Sequence, residues 1–458
     1  MRRVGCLLLL STCFLYAVFA QRFAEIHLQL SFLDFPIFVG EFLLIGSLLL
    51  LAAIFWKEGT KPSGPFWVLL GIYIVWILMK ALIGYHDYGP LAFRSAALFY
   101  YPLFAVLAFH FWHRSDFSSF VTVFLLMGLA VIPHFVEWYG YFYCPLVMIW
   151  IILAFHFPVK KLRFVLMAIA PFIFDFGVFL DVSYSRSHII GVFISILFLL
   201  LFLTWMLIRS VKPFLKTAGV VLLGVAVLFG AFFVRQKISH FFSLQAMRGV
   251  NEGEVRQLLH EVSPQFQLQD IPVRLYIPES PIPSEKSENV MVTEKEKGGT
   301  AVSKTGFLSA TPDGSVNSVL LRLYIWRDLM REVIDTRSWL GQSFGKPQRS
   351  RTVEMLGWSF GDWWGLGWMP PHNSFIHAIY RAGIVGVLLI AVFLLSILML
   401  ARDFVRMQSV AGLLFLTILV YWICIANFLS FLEVPYTAVP FWVLYGVVWK
   451  YRMSLTLS

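Results

Sequence analysis

The residues with the clearest capacity for chemistry lie in one polar segment, PHNSFIHAIYRAGIVG, which runs from Pro371 to Gly386. The His372 imidazole titrates near neutral pH, so it can accept a proton from a hydroxyl group or hydrogen-bond a leaving group. The residue type does not separate these two roles, and a packed interfacial imidazole is the structural alternative. Asn373 and Ser374 can cap the helix that follows, and we also predict that they contact a substrate.

Two arginines differ in what their positions imply. Arg186 opens an apolar segment, and a guanidinium at the bilayer centre costs about 2.5 to 3.5 kcal/mol. It therefore needs an ion pair with Asp181, a path to the lipid headgroups, or an anionic ligand. We predict a phosphate, which arginine binds through two parallel hydrogen bonds. Arg322 lies on an amphipathic segment over residues 315–334, where exposure to solvent would be enough to explain it.

Lys80 and Arg94 flank a predicted outer connection that also contains His86 and Asp87. Lys80 lies about one helical turn inside the bilayer, where an ammonium group must reach the interface or an anion. We predict that Lys80 and Arg94 contribute to binding a pyrophosphate or an acceptor.

The elements that must position these residues are transmembrane helices. The chain is 59% hydrophobic and 14% charged, with a mean hydropathy of +0.77, whereas soluble domains are about 25% charged. A hydrocarbon core about 30 Å thick is crossed by about 20 apolar residues. This predicts an all-α polytopic membrane protein with about twelve transmembrane helices, at residues 4–20, 36–56, 65–85, 96–112, 118–135, 140–157, 161–180, 188–208, 217–234, 374–400, 409–429 and 437–450.

The basic residues of the short connections predict the orientation, because such residues accumulate on the cytoplasmic side. If both termini lie in the cytoplasm, the only lysine or arginine residues in the short outer connections are Arg22, Arg94 and Arg186. Residues 1–234 are then an N-terminal transmembrane domain of about nine helices, and residues 374–458 supply about three more. The large loop between the ninth and tenth helices is periplasmic and covers residues 235–373. Its mixed-charge stretch 278–306 is predicted to be disordered.

Three motifs in series resemble the O-antigen ligase and polymerase family. The segment from Pro371 to Gly386 is similar to its His-Asn-Ser-Phe motif and the glycine-bearing helix that follows. The segment SRSHIIG at 185–191 is similar to its Ser-Arg motif, and RLYIWRDLMREVIDTRSWLGQSFG at 322–345 to its Arg-x3-Trp helix and turn. Ser338 and Ser343 stand where the family commonly has proline and a second glycine.

The resemblance implies a GT-C-like fold in the bacterial inner membrane and an active site on its periplasmic face. The implied enzyme is an inverting glycosyltransferase whose donor is an undecaprenyl-pyrophosphate-linked glycan. Arg186 and Arg322 would neutralise the departing pyrophosphate, and His372 would assist the attacking hydroxyl. The acceptor would be lipid A-core for a ligase, which we favour, another carrier-linked glycan for a polymerase, or a protein side chain for an oligosaccharyltransferase.

Other functions are less compatible with the sequence. No Asp-x-Asp pair follows the first helix and no nucleotide-binding motif occurs, so we expect neither a metal nor a cofactor. The basic residues border membrane segments, which indicates contact with lipids and no nucleic-acid partner. A transporter or flippase would place charges along a path through the midplane, whereas here they gather at one face. A peptidoglycan polymerase would lack the His-Asn-Ser-Phe motif.

Overall fold

The computed structural model describes residues 1–28, 37–59, 64–112, 315–352 and 371–456, together with scattered helical residues between 190 and 205. These parts are mostly helical. The helices are α1 (Arg2–Ala24), α2 (Val39–Glu58), α3 (Pro65–Tyr88), α4 (Leu91–Tyr100), α5 (Leu103–Phe111), α6 (Ser315–Asp335), α7 (Ser374–Ala382), α8 (Ile384–Arg406), α9 (Val410–Ala426) and α10 (Pro435–Thr456). A short antiparallel pair, β1 (His27–Leu28) and β2 (Ile37–Phe38), joins α1 to α2.

Within the described residues, α2, α3 and α8 are long and apolar enough to cross a membrane. Helices α4 and α5 meet at an angle of 42° and can together form a fourth span. The protein is therefore a mostly helical membrane protein. The predicted helices between residues 118 and 180 and at 217–234, like the stretch 278–306, lie outside the described residues. The total of about twelve spans stays a prediction.

Two predicted helices are each divided in the structure. The segment predicted as one helix at 96–112 is α4 followed by α5, because Pro102 has no amide to continue the hydrogen-bond ladder. The segment predicted at 374–400 is α7 followed by α8, with a break at Gly383. Gly383 has a φ of 57°, and a Cβ there would lie 2.0 Å from the Trp339 carbonyl oxygen. Only glycine fits this conformation and this close approach.

The bundle is closed by α10, which packs against α5, α1 and α9. A Cβ added to Gly446 of α10 would lie 2.1 Å from the carbonyl oxygen of Ala105 on α5, so the two backbones are in direct contact. Small residues at helix crossings allow this approach, which is how helices associate in lipid.

The chain divides into two compact units, one made of residues 1–231 and 322–458 and the other of residues 232–321. The described part of the first unit is mostly the helical bundle. Its residues 322–352 carry the greater part of α6 and the turn that follows, and this turn is hydrogen-bonded to α3, α4 and α7. The predicted boundaries at residues 234 and 373 stay predictions.

Candidate functional site

Helix α6 is held against the polar segment by its tryptophan. The Trp326 Nε1 donates a hydrogen bond of 2.5 Å to the carbonyl oxygen of Pro371, the residue before His372. Arg322 precedes Trp326 by four residues and so lies on the same face of α6. The two motifs are therefore joined by a direct contact, and Arg322 acts electrostatically on His372.

His372 occupies an unusual position for a histidine. Its φ is 48°, in the left-handed region that costs non-glycine residues about 1 to 2 kcal/mol. It lies between Pro371, which Trp326 holds, and Asn373, which caps α7. Strained backbone kept in place by its neighbours is typical of functional sites.

The charge state of His372 follows from its surroundings. Burial lowers the pKa of its imidazole below the usual 6.5, and the Arg322 guanidinium lowers the pKa further. The carboxylate of Glu433 acts in the opposite direction, but the net shift is downward. His372 is therefore neutral at pH 7, which is the form that can accept a proton.

Asn373 and Ser374 build the entry to α7. The Asn373 side-chain oxygen accepts hydrogen bonds of 3.0 Å from the amides of Phe375 and Ile376, so Asn373 is the helix cap that its residue type indicated. The Ser374 hydroxyl donates to the Leu429 carbonyl and accepts from the Leu432 amide at 3.0 Å. Ser374 thus fastens this corner to the connection between α9 and α10. The predicted contact of Asn373 and Ser374 with a substrate stays a prediction.

Glu433 is the residue that sequence reasoning missed. Its carboxylate lies 2.9 Å from His377 Nδ1, and its side chain is 13% exposed. Within the described part of the chain, its Oε1 is buried and accepts no hydrogen bond. Glu433 also acts electrostatically on His372, Arg94 and Arg381. The sequence held one signal, since Glu433 is the only acidic residue after Asp403 and lies at a predicted outer connection.

His377 and Arg381 support this carboxylate from α7. Arg381 Nε donates to His377 Nε2 at 3.2 Å, and His377 Nδ1 lies 2.9 Å from the Glu433 carboxylate without making a hydrogen bond within the described residues. The buried Arg381 guanidinium also donates to the carbonyl oxygens of Ser343 at 2.7 Å and Lys346 at 2.8 Å. Its hydrogen bonds therefore hold the turn after α6 against the site.

Lys80 has a structural environment. Its ammonium donates to the carbonyl oxygens of Leu340 at 2.8 Å, Gln342 at 3.2 Å and Arg381. An ammonium group has three N–H donors, and these three acceptors can use all of them. Lys80 thus joins α3 to the turn and to the end of α7. Its contact with pyrophosphate stays a prediction.

Asp328 fixes the end of the described loop. It accepts hydrogen bonds from the Ser350 hydroxyl at 2.7 Å and from the Thr352 amide at 2.8 Å. Burial alone would raise the pKa of this carboxyl group, but the hydrogen bonds from Thr352, Ser350 and Arg327 outweigh it and the pKa is lowered. Residues 350–352 are therefore fastened to the side of α6.

The structure thus brings together several of the predicted site residues. Arg322, His372, Asn373 and Ser374 lie at one corner of the bundle, and Arg94 on α4 reaches the same corner through Glu433. Arg186 lies outside the described residues. Among the described residues, Arg322 and Arg94 bring two positive charges to the corner beside the Glu433 carboxylate, so the corner suits an anionic ligand.

Part of the chain matches the model of a known family. The family model described as O-antigen ligase matches residues 170–391. The matched segment contains Arg186, Arg322 and His372, whereas Lys80, Arg94 and Glu433 lie outside it. No curated protein and no solved structure matches the chain.

Proposed function

Because residues 170–391 belong to the O-antigen ligase family, as the three motifs predicted, we propose that the chain transfers a glycan from undecaprenyl pyrophosphate to an acceptor hydroxyl. Family membership implies a glycan transferase of the ligase or polymerase type. The observation that supports the finer proposal is the contact between α6 and the polar segment, which places Arg322 within electrostatic reach of His372.

The proposed reaction is a single displacement. The acceptor oxygen attacks the anomeric carbon of the donor sugar, and the bond from that carbon to the pyrophosphate oxygen breaks on the opposite face, which inverts the configuration. The neutral His372 imidazole takes the acceptor's proton. The electron pair of the broken bond leaves with the pyrophosphate, whose charge Arg322 and Arg186 neutralise.

Glu433 would serve the same step. When His372 takes a proton it becomes cationic beside Arg322, and the Glu433 carboxylate offsets this second positive charge. The rate would come from positioning the two substrates and from stabilising charge on the leaving group. The residues proposed for this step bind phosphate and move a proton, so we expect transfer without a divalent metal.

The substrates and location remain parts of the proposal. We favour lipid A-core as acceptor at the periplasmic face of the bacterial inner membrane, with both termini in the cytoplasm. A polysaccharide polymerase or a protein O-oligosaccharyltransferase would use the same donor and the same corner. A flippase is disfavoured because the described charges of this corner lie at the ends of helices, whereas a flippase path crosses the midplane.

The test is transfer in vitro from a purified lipid-linked glycan, with lipid A-core, a second lipid-linked glycan and a protein offered as separate acceptors. We expect His372→Ala to slow transfer about 10² to 10⁴-fold, the usual contribution of acid–base catalysis. Arg322→Ala and Arg186→Ala should each slow it at least about a hundredfold. His86→Ala is the matched control, because its exposed imidazole lies at the end of α3 and pairs with Asp87.

Full-rate transfer in all three variants would remove the mechanism. Abolition by a chelator, with rescue by a divalent cation, would remove the metal-independent step. The acceptor that supports transfer decides between ligase, polymerase and protein glycosylation.

A further inference from the structure

The turn after α6 exposes large apolar side chains. We call residues 338–342 the Trp339 turn. Trp339 is 59% exposed and the adjacent Leu340 is 65% exposed, and Ile334 at the end of α6 is exposed as well. Scattered apolar side chains on a protein surface are normal, but a turn with two large ones at its tip indicates an apolar neighbour.

The backbone of the Trp339 turn is paired within the protein. The Trp339 carbonyl accepts from the Ile384 amide at 2.8 Å, and the Gln342 amide donates to the Tyr380 carbonyl at 2.7 Å. The Gly341 amide donates to the Ser338 carbonyl within the turn.

Lys80 completes this pairing from α3. Its ammonium donates to the carbonyls of Leu340 and Gln342, two groups that water would serve on an ordinary loop. The half-buried Lys80 thus supplies hydrogen bonds that water would supply to a solvated turn. In hydrocarbon such pairing is obligatory, because an unpaired backbone group there costs several kcal/mol.

The depth of the Trp339 turn follows from α8. The charged residues of this helix are confined to its last turns, where Arg402 is the first of them. Residues 384–401 rise about 27 Å at 1.5 Å each, which is nearly the thickness of a hydrocarbon core of about 30 Å. Ile384 must then lie at the edge of the hydrocarbon, and the Trp339 carbonyl, bonded to its amide, lies at the same depth.

The exposed face of the Trp339 turn continues two helix faces. On α3, next to Lys80, Leu82 and Ile83 are exposed, and on α8 Ile384 and Leu388 are exposed. Both helices are candidate membrane spans. The turn is hydrogen-bonded to one helix through Lys80 and to the other through Ile384, so its apolar tip lies in the same surface.

We propose that the Trp339 turn is embedded in the bilayer, where lipid acyl chains of the leaflet nearer the candidate site contact Trp339 and Leu340. The occupant of this surface is bilayer lipid. The inference concerns how the loop is held at the membrane, and it does not depend on glycan transfer.

The test measures immersion directly. The full-length chain, with Cys6, Cys13, Cys144 and Cys424 replaced, is given a single spin label at Leu340→Cys and reconstituted in vesicles of phosphatidylcholine and phosphatidylglycerol. Collision with oxygen, which concentrates in hydrocarbon, is compared with collision with a water-soluble nickel complex. Leu388→Cys on α8 is the lipid reference, and Arg349→Cys, exposed in the same loop, is the water reference.

We expect the ratio of oxygen to nickel accessibility at position 340 to be severalfold above that at 349 and closer to that at 388. A ratio closer to that at 349 overturns the proposal. Trp339→Cys provides a second label position with the same two expectations, so that misfolding of one variant leaves the question decided by the other.

Discussion

Two charged clusters at opposite ends of the bundle use similar residues in different ways. At the far end of α8, both oxygens of the Asp403 carboxylate are paired, one with Arg402 and the other with Arg452. At the candidate site, the carboxylate of Glu433 contacts His377 and leaves Oε1 buried without a hydrogen bond within the described residues.

The difference distinguishes a structural ion-pair cluster, at Asp403, from a candidate functional site, at Glu433. A carboxylate whose oxygens are all paired by arginines gains little from a ligand, and its role is to hold α8 to α10. A buried oxygen without a hydrogen bond costs about 1 to 3 kcal/mol and persists where something else requires it. The strained backbone of His372 in the same cluster indicates the same.

The largest expected effect tests this contrast directly. Glu433→Gln keeps the shape of the side chain and removes the charge that offsets a protonated His372, so glycan transfer should fall about a hundredfold. Thermal unfolding in the same detergent should change little. Asp403→Asn is the matched control and should leave transfer near the original rate. Equal losses of transfer in the two variants would erase the distinction.

The structural role of Asp403 should be measurable as a change in the free energy of unfolding. Asp403→Asn weakens charge-assisted hydrogen bonds to two arginines, so the free energy of unfolding should fall by about 1 to 3 kcal/mol. Denaturant unfolding of the purified protein measures this change. Unchanged stability would mean that the pairing at this end is not structural.

Lys80 should behave as part of the scaffold. Lys80→Met removes a donor to three carbonyl oxygens and should lower the free energy of unfolding by about 2 to 4 kcal/mol. Binding of the lipid-linked glycan donor, measured below the unfolding temperature, should change little. Lys57→Met, at the exposed end of α2, is the control. A large loss of donor affinity with normal stability would favour the pyrophosphate contact predicted from the sequence.

The pH dependence of transfer should move in opposite directions in two variants. Because the pKa of His372 is lowered, transfer should be constant at neutral pH and fall only below pH 6.5, as the imidazole is protonated. Glu433→Gln removes a charge that raises this pKa, so the fall in transfer at acid pH, the acid limb of the profile, should shift to lower pH in this variant. Arg322→Gln removes a charge that lowers the pKa, so its limb should shift to higher pH. Identical shifts in both would show that His372 does not control the limb.

The smallest effect concerns the frame around the site. Tyr380→Phe removes the hydrogen bond of 3.0 Å from the Tyr380 hydroxyl to Glu332 Oε2 on α6. The expected loss in the free energy of unfolding is about 1 kcal/mol, with transfer nearly unchanged. A large loss of transfer would extend the functional cluster to this contact.

Much of the candidate site could be predicted from local patterns. The apolar runs predicted the spans α2 and α3 to within a few residues, because hydropathy and length follow directly from the demands of lipid. Asn373 was predictable as a cap, since its side chain bonds to amides two and three residues away. The breaks at Pro102 and Gly383 were missed, because apolar side chains continue through both. The turn that packs against Gly383, at Trp339, also comes from a distant segment of the chain.

The sequence by itself determined that this protein lies in a membrane, that it is helical, and that residues 170–391 match the O-antigen ligase family model, since each depends on residue types at short spacing. Only the tertiary structure decided which charged groups become neighbours. Glu433 meets His377, and Lys80 meets the Trp339 turn, across long stretches of chain. Such contacts arise when helices pack and backbone groups must be satisfied inside the bundle.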